Sequence, residues 1–195
     1  MKSLILGRGK SLEYYKKINA KDFDILCLVN AFNKFIIEDT ELLDFLNSTS
    51  AYIMQQVNCC EAGIDNNFLD SVNVDEIITT RLKPNGENHW WREKSSTQIA
   101  GRKLKRQPES LEPYIKNAAN SLDIAILNLI IEKSCTDITI IGSDFYEADY
   151  YLSHRGVDWN EVSKVSTQNR LKQSMDYFIT EFSQVNFTIH TYSTY

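Results

Sequence analysis

The sequence predicts one α/β domain of Rossmann-like layout: a mostly parallel sheet with helices on both faces, plus a small lid. Three observations lead there. Short, largely apolar runs at residues 3–6, 23–29, 51–57, 76–80, 137–141 and 187–191 alternate with stretches of helical spacing. Runs of this kind read as strands buried on both faces, the pattern of a parallel sheet. The first run ends in a glycine turn, Gly7-Arg8-Gly9-Lys10-Ser11, directly before a helical stretch. The chain has 195 residues, 43% hydrophobic and 24% charged, which suits a single domain spanning 1–195.

The elements follow in order. Residues 11–18 have helical spacing, with Leu12, Tyr15 and Ile18 on one side and Ser11 as the expected N-cap. Residues 41–46 read as a short helix and 64–72 as a turn or two of helix. Residues 82–108 hold Pro84, Gly86, Gly101, Pro108, adjacent Trp90 and Trp91 and many basic residues, and read as a long surface excursion. Residues 111–133 read as one long helix burying Ile115, Ala118, Leu122, Ala125, Ile126 and Leu129. Residues 147–165 are polar and aromatic, the character of a lid. Residues 168–182 read as a helix before the final strand.

Bulk properties exclude several classes. A net charge of −5 argues against a general nucleic-acid binder. No apolar run reaches the roughly 18 residues of a membrane span. The apolar start is too short for a signal peptide and reads as a strand. Cys27, Cys59, Cys60 and Cys135 form no CxxC pair and read as free thiols of a cytosolic protein. The three histidines are scattered, so no metal cluster is expected.

In open α/β sheets, ligands sit beyond the carboxyl ends of the strands, so the strand ends at Gly7, Asn30, Gln56 and Gly142 are expected to meet at one crevice. Gly7 and Gly9 permit a tight turn and close approach to a ligand. The helix start offers N–H groups to an anion, and Arg8 and Lys10 add charge. The same turn fits a purely structural role with exposed basic residues, since it matches neither the dinucleotide fingerprint nor the Walker spacing. Asn30 can pair with a base or sugar, or cap the next turn. In Gly142-Ser143-Asp144-Phe145-Tyr146, Asp144 can bind a hydroxyl or cap a loop, and Tyr146 can reach a phosphate or sugar. His154, beside Arg155 in the expected lid, suits acid–base work or is simply exposed there, and Arg155 offers charge to a leaving phosphate. His89 with Trp90 and Trp91 offers a stacking platform or packs the excursion down, and His190 reads as structural.

Three of these pieces together resemble the bacterial lipooligosaccharide sialyltransferases, glycosyltransferase family 42. The first strand and turn of that family read as an apolar run followed by G-N-G-P-S-L, matched here by Ile5-Leu6-Gly7-Arg8-Gly9-Lys10-Ser11-Leu12. Its second strand, D-F-D-V leading to C-N, is matched by Asp22-Phe23-Asp24-Ile25 leading to Val29-Asn30. Its late G-I-D-F-Y is matched by Gly142-Ser143-Asp144-Phe145-Tyr146. The resemblance implies a metal-independent enzyme, with no cofactor required, that transfers a CMP-activated sialic-acid-type sugar to a glycan acceptor. It implies that Gly7, Gly9, Ser11 and Asn30 surround the nucleotide, that Ser121 contacts phosphate or ribose, and that Tyr146 supports the leaving phosphate. Tyr150 or Tyr151 is the candidate second tyrosine. The chain departs from the family at Arg8 and Lys10, and has Val165, Ser166 and Thr167 where the family places its histidine base. His154 is then the candidate substitute.

Two other readings stay open: a diphosphokinase of the 6-hydroxymethylpterin type, with Asp144 as the carboxylate for a metal, and a nucleotide-binding protein that has lost its chemistry. Expected partners are a nucleotide sugar and a glycan acceptor, with no nucleic acid and no membrane span; a homo-oligomer through the 82–108 excursion is an option. The expected location is the cytoplasm, with peripheral attachment to the inner membrane face a further option.

Overall fold

The structure, a computed structural model, describes residues 1–29, 39–58, 71–80, 98–99, 102–103, 105–106, 108–145 and 161–193. Strands β1 (Lys2–Leu6), β2 (Ile25–Val29), β3 (Tyr52–Asn58), β4 (Glu76–Thr80), β7 (Lys105–Arg106), β8 (Asp137–Ile141) and β9 (Asn186–His190) form one sheet. Their order is β7-β4-β3-β2-β1-β8-β9. Every pairing is parallel. The remaining strands, β5 (Gln98–Ile99) and β6 (Arg102–Lys103), pair antiparallel with each other.

All six expected strands are present, each within two residues of its expected bounds. The seventh, β7, lies inside the expected excursion and pairs with Ile78 and Thr79 of β4. Backbone pairing of two basic residues carries no hydrophobic period, so nothing in the sequence announced it.

The sheet separates two cores. On one face, Ile5, Cys27, Met54, Ile78 and Ile140 pack with Ile124, Leu127, Leu171, Met175 and Phe178. On the other, Leu4, Leu6, Leu26, Leu28, Ile53 and Ile77 pack with Leu12, Tyr15, Leu42 and Leu46. Alternate residues of one strand thus serve opposite cores, which is why β2 is buried at all five positions.

The helices depart from expectation in three places. Residues Lys10–Lys17 form a 3-10 helix whose N-cap is Gly9, with no side-chain capping bond. Ser11 lies inside the first turn instead of capping it, because its Oγ accepts the N–H of Gly142 at 3.0 Å. The expected long helix at 111–133 is broken into a 3-10 turn (Glu109–Leu111), α2 (Glu112–Ile115) and α3 (Ser121–Leu127), which runs on as a π-helical turn, Asn128–Glu132. The break is chemical. Asn120 accepts the N–H of Asp123 at 3.1 Å, while the Asp123 carboxylate accepts the N–H groups of Asn120 at 3.2 Å and Ala119 at 2.5 Å. This capping box starts a new helix although the apolar period runs through it. Helix α1 (Thr40–Asn47) starts on Asp39, whose carboxylate accepts the Leu42 N–H at 3.0 Å. Helix α4 (Glu161–Glu181) begins earlier than expected and takes in residues 161–165 of the expected lid.

Candidate functional site at the strand-order reversal

From β1 the chain steps through β2 and β3 to β4 on one side, while β8 and β9 lie on the other. The order therefore reverses between β1 and β8, the place where open parallel sheets form ligand crevices. The segment after β1 turns to one core through Leu12, and the segment after β8 turns to the other through Phe145.

The two segments are stitched together. Gly7 N–H donates to the carbonyl of Ile141 at 2.8 Å, and Gly9 N–H to the carbonyl of Gly142 at 2.7 Å. A Cβ on Gly7 would lie 2.3 Å from the Gly142 carbonyl oxygen, and a Cβ on Gly142 would lie 2.3 Å from that of Gly7. Gly142 also has φ +72°, a left-handed conformation. Phe145 holds φ 48° while buried, a conformation that costs a non-glycine residue energy. The close approach that these glycines permit is thus used by one strand end against the other.

Asp144 is the centre of the stitching and is 3% exposed. Its Oδ2 accepts the backbone N–H of Ser11 at 2.8 Å. Its Oδ1 accepts the Thr191 hydroxyl at 3.1 Å and the Tyr192 N–H at 2.9 Å. The N–H at the helix start, expected to face a ligand anion, is given to an internal carboxylate. A Cβ on Gly9 would lie 2.4 Å from Asp144 Oδ2, so Gly9 makes room for that carboxylate. Of the charged residues of the turn, Arg8 is partly exposed and Lys10 is exposed.

The structure therefore brings together Gly7, Arg8, Gly9, Lys10, Ser11, Gly142 and Asp144. Ser121 is buried at the first position of α3, beside the Asp123 capping box. Asp123 also accepts the hydroxyl of Ser174 on α4 at 2.9 Å. Burial pushes the Asp123 carboxyl up to about 6, against the opposing hydrogen bonds from Ala119, Ser174 and Asn120 and the charge of Arg170. Asn30, Tyr146, Tyr150, Tyr151, His154 and Arg155 lie outside the described residues, as do His89, Trp90 and Trp91.

Sequence reading missed two polar features. Asn128, fully buried in the π turn, donates to Gln56 Oε1 of β3 at 2.7 Å, and Gln56 Nε2 donates to the Ile78 carbonyl at 3.3 Å. Asn128 Oδ1 has no hydrogen-bond partner among the described residues. The Gln55-Gln56 pair inside an apolar run was the available signal. The second feature follows β9. Tyr192 bonds Glu13 through its hydroxyl. Tyr14 stacks on His190 at 5.0 Å and packs near Tyr192 at 5.8 Å, with Lys17 over its ring at 4.9 Å.

Cys27 and Cys135 are free and buried, and burial pushes both thiols up. Among the described residues, no three His, Cys, Asp or Glu side chains converge to hold a metal, and no helix is long and apolar enough to cross a membrane.

The fold and its strand order define an α/β protein with a Rossmann-like parallel sheet. No family model matches the chain, and no curated protein matches it. Among solved structures, it is similar to the crystal structure of the sialyltransferase CST-II in complex with trisaccharide acceptor and CMP. The likeness covers 97% of this chain and 81% of that one, with a TM-score of 0.51 at 10% identity. At that identity it establishes the shared fold.

Proposed function

We propose that the chain is a glycosyltransferase that binds a CMP-activated, sialic-acid-type sugar and transfers it to a glycan acceptor. The observation that carries the reading is the coincidence of two independent lines. Glycine turns resembling those of the sialyltransferase family stand together at the strand-order reversal, and 97% of the chain shares its fold with a sialyltransferase whose complex holds CMP.

Transfer by direct displacement needs a base for the acceptor hydroxyl and stabilisation of the leaving phosphate. We assign the first to His154. Tyr146, Arg155 and the cationic rim of Arg8 and Lys10 take the second. The nucleotide is placed along Gly7, Gly9, Ser11, Asn30 and Ser121, with Tyr150 as a second phosphate contact. This chemistry uses no metal or other cofactor. Gly142 and Asp144 support the site by holding the turn, which is what their hydrogen bonds do in the structure.

A thermal-shift screen with CMP, CDP, UDP, GDP, ADP and ATP, with and without Mg²⁺, tests the reading. A ligand at 100 times its dissociation constant stabilises the native state by about 2.7 kcal/mol. Stabilisation by CMP or CDP that ignores chelator supports the proposal. A response confined to ATP with Mg²⁺ supports a diphosphokinase instead. Binding of CMP without turnover of a CMP-sugar on any acceptor supports a non-catalytic binder.

A further inference from the structure

The segment that follows β9 bridges the two segments that leave β1 and β8 at the strand-order reversal. Thr191 and Tyr192 hold Asp144 on the β8 side, through a hydroxyl at 3.1 Å and a backbone N–H at 2.9 Å. On the β1 side the Tyr192 hydroxyl bonds Glu13 of the 3-10 helix, and the Tyr192 ring packs against Tyr14. Thr191 Oγ1 also accepts the N–H of Ser193 at 2.9 Å, which folds the segment into a tight turn. The other oxygen of Asp144 occupies the Ser11 N–H. Two elements that a ligand would have to part, or slip between, are thus tied by a third.

We infer that residues 191–193 are a strap that locks Asp144 across the strand-order reversal and that yields when an anionic ligand enters there. The reasoning is local. A helix start is an anion site because its first N–H groups are unpaired, and here the Ser11 N–H is paired with an internal anion. For a ligand phosphate to take that donor, Asp144 has to turn away. Asp144 cannot turn without giving up Thr191 and Tyr192. The strap and the ligand therefore compete, and the closed form lowers apparent affinity by the fraction of molecules that are open. The ligand side of this inference rests on the proposed nucleotide site; the locking of Asp144 does not.

The test uses the full chain with Thr191→Val and Tyr192→Pro combined, which removes the hydroxyl and the N–H donors to Asp144, and Thr191→Val alone as the milder variant. The first readout is amide exchange by NMR, which needs no ligand. The Ser11 amide is expected to exchange at least tenfold faster in the double variant, with the β2 core amides unchanged, and the single variant is expected to fall between. Equal Ser11 protection in all three proteins would overturn the strap. The second readout is affinity for CMP and for inorganic pyrophosphate. Binding of either anion at least threefold tighter to the double variant supports competition, and unchanged or weaker binding of both overturns it. Pyrophosphate binding that tightens in the variant while CMP binds neither protein leaves the strap standing and removes the CMP reading.

Discussion

The Asp144 carboxylate accepts the backbone N–H of Ser11 at 2.8 Å, joining positions 133 residues apart at the point where the strand order reverses. Around that bond, with Ser11 and Asp144 themselves buried, two glycine turns and the segment after the last strand form one hydrogen-bonded unit. It holds the ends of β1 and β8 against each other.

Replacing either strand-end glycine should be severe. Gly7→Ala places a Cβ against the Gly142 carbonyl oxygen, where neither backbone can retreat without breaking a ladder. We expect a loss of about 3 kcal/mol or more, at the upper end of single substitutions. Gly142→Ala adds the penalty of its left-handed φ. Urea unfolding measures both, and a loss under about 1 kcal/mol for either would show that the close approach is not required.

Asp144→Ala leaves the Ser11 N–H, the Tyr192 N–H and the Thr191 hydroxyl without their acceptor. An unpaired buried donor costs roughly 1–3 kcal/mol, with water relieving the less buried ones. The variant should therefore lose about 3 kcal/mol in total. Asp144→Asn, which keeps one acceptor oxygen, should lose less. Equal stability of Asp144→Ala and the parent would mean that the carboxylate holds nothing.

Asp123 predicts a pH dependence. Burial raises its folded pKa to about 6 from an ordinary value of 3.8. The folded state therefore binds a proton that the unfolded chain has released between those values. Its contribution to stability is fully present below about pH 4 and is lost as pH rises through about 6. Two units correspond to about 3 kcal/mol as an order of magnitude. Unfolding free energies of the parent and of Asp123→Asn, compared from pH 4 to 7, should diverge in the variant's favour as pH rises. A constant difference across that window contradicts a protonatable buried Asp123.

Under the proposed reaction, Tyr146→Phe should cut turnover about 100-fold, the scale of losing one donor to a developing charge, with CMP affinity changed far less. Steady-state transfer kinetics beside calorimetric CMP binding separate the two. Equal loss in both would give Tyr146 a binding role only.

Much of the sheet was legible. Residues 137–141 and 76–80 form strands at their expected bounds, because each carries adjacent buried isoleucines, Ile140-Ile141 and Ile77-Ile78, that serve opposite faces of the sheet. The capping box at Asn120 shows the opposite case. The apolar period of 111–133 continues across it, with Ile115 and Ala118 partly buried on one side and Leu122 and Ala125 buried on the other, and only the reciprocal bonds of Asn120 and Asp123 start a new helix there. The candidate site was half legible. Gly7, Gly9, Ser11, Gly142 and Asp144 stood out by residue type, yet their partners did not. Thr191 was legible only as the end of the last strand and Tyr192 not at all, because nothing in their local sequence marks a bond to Asp144.

The sequence by itself determined the α/β class, the six principal strands and the two glycine turns, because burial and backbone freedom are local demands written in local residue types. The tertiary structure alone decided that the glycines face each other, that the helix start is filled by Asp144, and that the segment after β9 closes over both. Those are pairings across more than 100 residues or between segments from different strands. Their energy depends on which ends the sheet order brings together, a relation that no stretch of sequence carries on its own.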